Sequence, residues 1–471
     1  MNDIPLLNPA ELSAAYAARR LSPVEVARAM FDRIGKLGGD INAFCLVDEA
    51  ASLAEARASE SRWTKGEPRS ALDGVPVAIK DLLLTRGWPT LRGSRTIDPK
   101  GPWNDDAPAV ARLREAGAML LGKTTTPEYG WKGVTDSPLT GVTRNPWNLK
   151  MTPGGSSGGS AAALAARLAP LAIGTDGGGS IRIPASFCGV FGLKPSYGRV
   201  AAYPLSPFGT LAHIGPMSRD VTGSAMLLDV IVRPDSRDPQ QLPPPAQSFT
   251  ERLRDGVRGK RIAFSPTLGF AWRVDDEVAL LAEAAALRLE GLGAKIERVD
   301  PPSFPSSDIR ADFRVLWWAG AGYLLGKASD RVKALFDPGF HAMVEEGAVF
   351  SLRRFQDAAM ARLQYASAMR VFMEKFDFLV TPAVAVPAFP VEQLSPWPDD
   401  GYSWLSWTPF TFPFNLTQQP AASVPCGFTR ARLPIGLQIV GRMYDDWGVL
   451  AAAKAYESAD PHFERAPEGY G

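Results

Sequence analysis

The sequence predicts an α/β protein: one large domain whose central sheet, mixed and mostly parallel, is covered by helices on both faces. Three observations carry this expectation. Helical segments and short apolar strands alternate from about Leu72 onward, the breaks between them fall on glycine, and the same alternation resumes after a proline-rich interruption. Strands joined through helices need crossovers that cover both sheet faces, so the strands read as continuous apolar runs. A chain of 471 residues has room for two or three average domains. The return of one pattern in the second half favours a single composite unit over residues 1–471.

Ser22-Pro23-Val24-Glu25 is a capping box with proline at the first helical position. Val26, Met30, Ile34 and Leu37 follow at helical spacing, and Gly38 is expected to stop the helix. Val75 to Lys80 reads as a buried strand, Ala107 to Ala116 as a helix and, after the Gly117 break, Ala118 to Leu121 as a strand. Ser160 to Leu168 is an Ala/Leu helix, and Pro170 to Gly174 a short strand. These segments make up an expected core at about 70–230. Residues 233–247, with Leu242-Pro243-Pro244-Pro245, read as a surface connection. Beyond it come a strand (Arg261 to Phe264), a helix (Glu277 to Glu290) and a strand (Lys295 to Val299). A further strand, Phe378 to Thr381, enters a stretch crowded with Pro and Trp from Pro382 to Pro413, of the kind that forms lids or pocket walls.

Composition excludes several classes of function. Hydrophobic residues make up 45% and charged residues 21%, and the formal net charge is +1. With no run of five or six like charges, there is no electrostatic case for nucleic acid or an anionic membrane as partner. Cys45, Cys188 and Cys426 are odd in number and form no CxxC pair, which argues against a disulfide framework and a thiolate metal site. The start, Met1-Asn2-Asp3-Ile4-Pro5, shows no secretory signal, and no apolar run is long enough to span a membrane. A cytoplasmic location is the expectation.

Two glycine loops carry serines: Gly154-Gly155-Ser156-Ser157-Gly158-Gly159-Ser160 and Gly174-Thr175-Asp176-Gly177-Gly178-Gly179-Ser180-Ile181-Arg182. A lysine lies upstream in Pro76-Val77-Ala78-Ile79-Lys80-Asp81. Acyl transfer needs a nucleophilic hydroxyl, a base for its proton and N–H groups aimed at the developing oxyanion. The N–H groups of Gly177, Gly178 and Gly179, free of Cβ atoms, can converge on one oxygen. Lys80 lies among apolar residues, and burial there would disfavour its ammonium form. The residues alone leave open a solvated strand-edge lysine beside Asp81.

Two other patterns mislead. Gly117-Ala118-Met119-Leu120-Leu121-Gly122-Lys123-Thr124 fits the Walker A expression, but Ala-Met-Leu-Leu reads as a strand and a helix precedes it, the reverse of a phosphate loop. Gly154-Gly155-Ser156-Ser157-Gly158 fits the G-x-S-x-G elbow, which needs a strand before it and an acid and a histidine after it. Asn148 to Pro153 is a poor strand, and the chain has only His213, His341 and His462, of which His213 reads as a packed structural residue.

Taken together, the two glycine loops resemble those of the amidase signature family. The spacing of Ser156 and Ser180 is the one this family shows. Pro76 to Asp81 is similar to its lysine motif, and Gly122 to Glu128, Phe187 to Val200 and Phe412 to Ala421 also match. The resemblance extends from about Pro23 to Glu457. It implies the amidase signature fold and cleavage of carboxylic amides through an acyl-enzyme. Ser180 would be the nucleophile, Ser156 a bridging serine preceded by a cis peptide bond, and Lys80 the general base. The oxyanion would rest on the N–H groups of Gly177, Gly178, Gly179 and Ser180. The resemblance places Tyr129, Gly130 and Trp131 at the acyl pocket. Ser157 would support the proton relay, and Asp176 and Arg182 would brace the nucleophile loop. Trp397, Trp404 and Trp407 suggest a lid or pocket for apolar or aromatic acyl groups. No metal or organic cofactor is implied. The expected partner is a small-molecule amide, with esters and carbamates left open, and the assembly state is open too, a homodimer included.

Two departures bear on subtype. The family usually carries threonine where this chain has Gly177. The glutaminyl/glutamyl-tRNA amidotransferase A subunit usually carries Leu-Asp-Gln-Ile-Gly-Pro where this chain has Leu211-Ala212-His213-Ile214-Gly215-Pro216. Both departures lean toward a stand-alone amidase; the alternative is the partner-dependent amidotransferase component.

Overall fold

The run Pro76-Val77-Ala78-Ile79-Lys80 has no polar face, and a strand of that kind is stable only between two covering layers. The computed structural model buries all five of its residues. It describes residues 4–305, 308–398 and 400–471; Met1 to Asp3, read above for a targeting signal, lie outside this range. Thirteen strands occur among the described residues. They are β1 (Phe44–Val47), β2 (Pro76–Lys80), β3 (Met119–Thr124), β4 (Asp136–Ser137), β5 (Gly141–Val142), β6 (Leu171–Asp176), β7 (Phe191–Lys194), β8 (His213–Ser218), β9 (Arg261–Phe264), β10 (Lys295–Arg298), β11 (Phe378–Pro382), β12 (Ala421–Phe428) and β13 (Pro434–Gly441). β4 and β5 pair only with each other; the other eleven form one sheet in the order β1-β3-β2-β6-β8-β7-β12-β13-β11-β9-β10. Strands from both sides of the proline-rich connection therefore share one sheet.

The sheet is mixed. Its parallel pairing is concentrated in two blocks, β3-β2-β6 and β11-β9-β10, and antiparallel strands join them. The first block matters most for function, because parallel neighbours end on the same side and bring the C-terminal ends of β2 and β6 together. Helices cover the sheet, and an apolar core runs along it, with residues from β2, β3 and β6 as well as from β9, β11, β12 and β13. A second core, rich in Phe and Trp, lies under the helices Ile309–Leu325, Pro338–Ala348 and Leu352–Met373.

Local chemistry accounts for the boundaries. The Ser22 capping box forms as expected, with both reciprocal hydrogen bonds. Gly38, however, does not stop that helix, which continues to Ile41. Each interior glycine costs about 1 kcal/mol relative to alanine. Full burial of Ile41 and the left-handed cap at Asn42 (φ 55°), whose amide donates to the Thr140 and Val142 carbonyls, offset that cost. β3 likewise runs three residues past Leu121, so Gly122-Lys123-Thr124 is strand and not a phosphate loop. Residues 233–247 hold no helix or strand, yet Asp235 and Asp238 are buried there, and Asp238 accepts a hydrogen bond from the Ala202 N–H. The connection thus anchors the segment that follows Arg199.

That segment, Ala202 to Gly209, lies against the helix Ile309–Leu325 at Gly320, where an added Cβ would come within 1.9 Å of the Pro207 carbonyl oxygen. Gly320→Val should therefore destabilise the fold by about 1–3 kcal/mol through overpacking, as read by urea denaturation, whereas Gly291→Val, with open space around it, should cost less.

Candidate active site

A lysine at the end of a fully buried strand has to find its partners inside the protein. Lys80 is the last residue of β2 and has no solvent exposure. Its Nζ lies 2.7 Å from Ser156 Oγ, 2.8 Å from Ser157 Oγ and 2.9 Å from Thr175 Oγ1. It makes no ion pair among the described residues. Burial pushes its ammonium well below the usual lysine range, and the negative charge of Asp176 opposes this only in part. Lys123, one strand away, shows the contrast. Register pairs Lys80 with Thr124 and Lys123 with Ile79, so strand alternation sends the two lysines to opposite faces. Lys123 donates to the Leu83 carbonyl and to Thr90, and it faces Asp81 at 3.5 Å.

The hydroxyls around Lys80 come from one loop and from the neighbouring strand β6. Ser156 and Ser157 precede the helix Gly158–Ala165, and the Gly155–Ser156 peptide bond is cis. Gly155 is required there, because a Cβ would lie 2.6 Å from the Val134 backbone. Ser157 donates its own proton to the Thr175 carbonyl (3.2 Å), leaving it an acceptor toward Lys80. Thr175 lies near the end of β6, beside β2 in the sheet. Sequence reasoning did not single out Thr175; its place in Gly174-Thr175-Asp176, just before the nucleophile loop, was the available signal.

Asp176 ends β6 and shapes the loop that follows. Its carboxylate accepts from the N–H groups of Gly179 (2.8 Å) and Ile181 (3.2 Å), and from Arg182 through Nε and Nη2 (both 2.9 Å). Asn415 donates to it at 2.9 Å, and Arg182 also reaches the side-chain oxygens of Asn415 and Gln438. Burial alone would raise the Asp176 pKa. The Arg182 charge and hydrogen bonds, aided by Lys194 and Asn415, outweigh burial and hold it well below the usual carboxylate range. The Gly179 N–H is thereby committed to Asp176, while those of Gly177, Gly178 and Ser180 donate to no protein group among the described residues.

Ser156, Ser180, Tyr129, Gly130 and Gly177 border one cleft of about 220 Å³, whose other walls include Tyr203 to Gly209 and Trp317. Gly130 packs on Ser156, where an added Cβ would lie 3.1 Å from its Oγ. Tyr129 has a left-handed backbone (φ 50°) and stacks on Phe340 at 5.3 Å. His213 also borders the cleft. Burial pushes its pKa well below the usual histidine range, and Nδ1 lies 2.8 Å from the Leu211 carbonyl. Among the described residues no His/Cys/Asp/Glu group is arranged to hold a metal, and no helix is long and apolar enough to cross a membrane.

Residues 25–450 match the family model Amidase. The chain belongs to the amidase signature family. It is 37% identical over 467 residues to an acylamidase of Rhodococcus erythropolis, covering 98% of this chain and 97% of that one. It is 38% identical over 480 residues to the A subunit of the glutamyl-tRNA(Gln) amidotransferase of Myxococcus xanthus (strain DK1622), covering 97% and 98%. Its structure superposes on that of a bacterial aryl acylamidase of the amidase signature family with a TM-score of 0.91 and 31% identity, covering 98% of each chain.

Three expectations need correction within this amidase fold. The Gly179 N–H, expected to face the oxyanion, is instead taken by the Asp176 carboxylate. Trp131 does not border the cleft: it is buried beneath the helix Pro338–Ala348, where a Cβ on Gly339 would meet its ring at 2.4 Å. The late-loop tryptophans are not a lid either. Trp404 and Trp407 are buried supports for Gly178 and Gly133, and Trp397 packs on Trp272. The aromatic residues that do border the cleft are Tyr129 and Tyr197, in segments the sequence pattern marked, and Tyr203, Phe208 and Trp317, in segments it did not. Because Arg182 and Asp176 are both fully buried, Arg182→Met should cost about 3–5 kcal/mol by stranding a buried carboxylate. Urea denaturation measures it, and a cost below about 1 kcal/mol would mean that the pair does not brace the loop.

Proposed function

We propose that this amidase signature hydrolase acts on small linear carboxylic amides without partner subunits, through Ser180, Ser156 and Lys80. The observation that carries this reading is Lys80: a buried amine held by three hydroxyls and, among the described residues, no ion pair, with Ser156 and Thr175 bordering the cleft that Ser180 also borders. A neutral amine has a lone pair to accept a proton and still donates two hydrogen bonds. Ser157 and Thr175 take those two. Ser156 is left to give its proton to Nζ as it receives the proton of Ser180.

Ser180 Oγ then attacks the amide carbon, and the carbonyl oxygen takes up negative charge facing the free N–H groups of Gly177, Gly178 and Ser180. Collapse of the tetrahedral species breaks the C–N bond, and the proton on Lys80 returns through Ser156 to the leaving amine. Water repeats the cycle on the acyl-enzyme and releases the carboxylic acid. Asp176 and Arg182 take no proton here; they hold the loop in shape. The apolar and aromatic cleft supports an apolar or aryl acyl group, and ester or carbamate substrates would follow the same steps.

One observation favours a second reading, a partner-dependent amidotransferase component: the 38% identity to such a protein along nearly the whole chain. Release of amine from N-aryl amides by the purified chain decides between them. The stand-alone reading predicts turnover that falls by at least about 10³-fold in Ser180→Ala. Activity on glutamine alone, and only with partner subunits added, would favour the second reading. Lys80→Met should lose as much activity as Ser180→Ala, because the three residues act as a unit. Its melting temperature should match or exceed that of the parent, since a buried amine is replaced by an apolar chain of similar volume. A variant keeping a tenth of the activity would contradict the role given to Lys80.

A further inference from the structure

Position 177 follows Asp176 in the nucleophile loop, where the family usually carries threonine and this chain carries glycine. The structure shows what fills the vacated volume. A Cβ on Gly177 would lie 2.2 Å from Trp317 Cζ3 and 2.6 Å from Cη2, so the indole of the helix Ile309–Leu325 occupies the place of a side chain at 177. The ring lies face to face with Phe208, centroids 3.8 Å apart and planes 6° from parallel. Behind it, Phe313 stacks at 5.7 Å. The indole N–H has no acceptor among the described residues, so packing alone sets the ring's position. Trp317 and Phe208 border the cleft together with Ser180.

Resting on the hydrolase reading above, we propose that Gly177 and Trp317 are a reciprocal pair that sets which acyl group this enzyme accepts. The stacked Trp317–Phe208 plate closes the cleft beside Ser180 with an apolar wall. Such a wall leaves room for planar aryl and short acyl groups and excludes long alkyl chains. A threonine at 177 would drive the indole out of this position and displace an N–H that faces the oxyanion. The glycine is thus the condition for the plate and the plate is the specificity element.

The test is kcat/KM for 4-nitroanilides of acetic, benzoic and hexanoic acids with the full-length chain and its Trp317→Ala, Trp317→Phe, Gly177→Thr and Gly177→Thr/Trp317→Ala variants. Labelling of Ser180 by a fluorophosphonate and a melting curve establish that each variant is folded. Trp317→Ala should raise the hexanoyl-to-benzoyl ratio at least about tenfold, the discrimination expected when a pocket wall is removed. Trp317→Phe, which keeps a plane, should hold the parent ratio. Gly177→Thr should lose at least about tenfold on every substrate, and the double variant should regain most of that loss. If Trp317→Ala does not fold, Trp317→Leu, bulky but not planar, takes its place with the same predicted shift. An unchanged acyl profile in an active variant at 317, or no recovery in the double variant, overturns this inference alone. Silence of the parent chain on all three anilides overturns the hydrolase reading and this inference with it.

Discussion

An amine that is buried with no ion-pair partner among the described residues cannot comfortably keep its charge. Removing an ammonium from water costs several kcal/mol even after the protein relaxes, and three hydroxyls return only part of that. Lys80 is in this position. The remaining features of the site can be read as conditions for keeping it there. β2 must be buried on both faces, β6 must run parallel beside it to deliver Thr175, and the first glycine loop must bring two serine hydroxyls within reach. Lys123 shows what the same residue type does when a carboxylate is supplied: it joins strand to loop, donating to the Leu83 carbonyl and facing Asp81.

Asp176 is the group that endangers this arrangement. It ends the strand next to Lys80, and its charge works against the lowered lysine pKa. Arg182, bound to it through two nitrogens and itself fully buried, supplies the opposing charge at close range. Asn415 and Gln438 then satisfy the polar atoms that remain. The pair therefore does two things with one set of contacts. It turns the loop so that three N–H groups stay free among the described residues, and it limits the field that Asp176 exerts on the amine. The same loop meets the second, aromatic core at Gly177 and Gly178, where Trp317, Phe313 and Trp404 leave no space for a side chain.

The strands of the first block were legible because full burial writes itself as unbroken apolar runs: β2, β3 and β6 fall where those runs fall. Lys80, Ser156 and Ser180 were legible because glycine loops and a lysine in an apolar run are unusual, and the family resemblance joined them. Harder to read was anything decided by packing between distant segments. The helix through Gly38 depends on where Ile41 is buried, and the long helices after Ile309 depend on facing one another. Tryptophan content pointed to an aromatic cleft but not to which rings would form it, since Trp317 reaches Gly177 only through the fold. Commitment of the Gly179 N–H to Asp176 likewise follows from the turn geometry and not from composition.

The protonation state of Lys80 carries the account, and it can be observed directly. In the Ser180→Ala chain, with lysine labelled by ¹³C at Cε and Lys80→Met used to assign the resonance, the chemical shift followed against pH reports that single ionisation. The account predicts a midpoint below the usual lysine value of about 10.4, in the direction that burial imposes. A midpoint at or above that value would mean that Lys80 is a charged structural group, and that the proton of Ser156 has another destination.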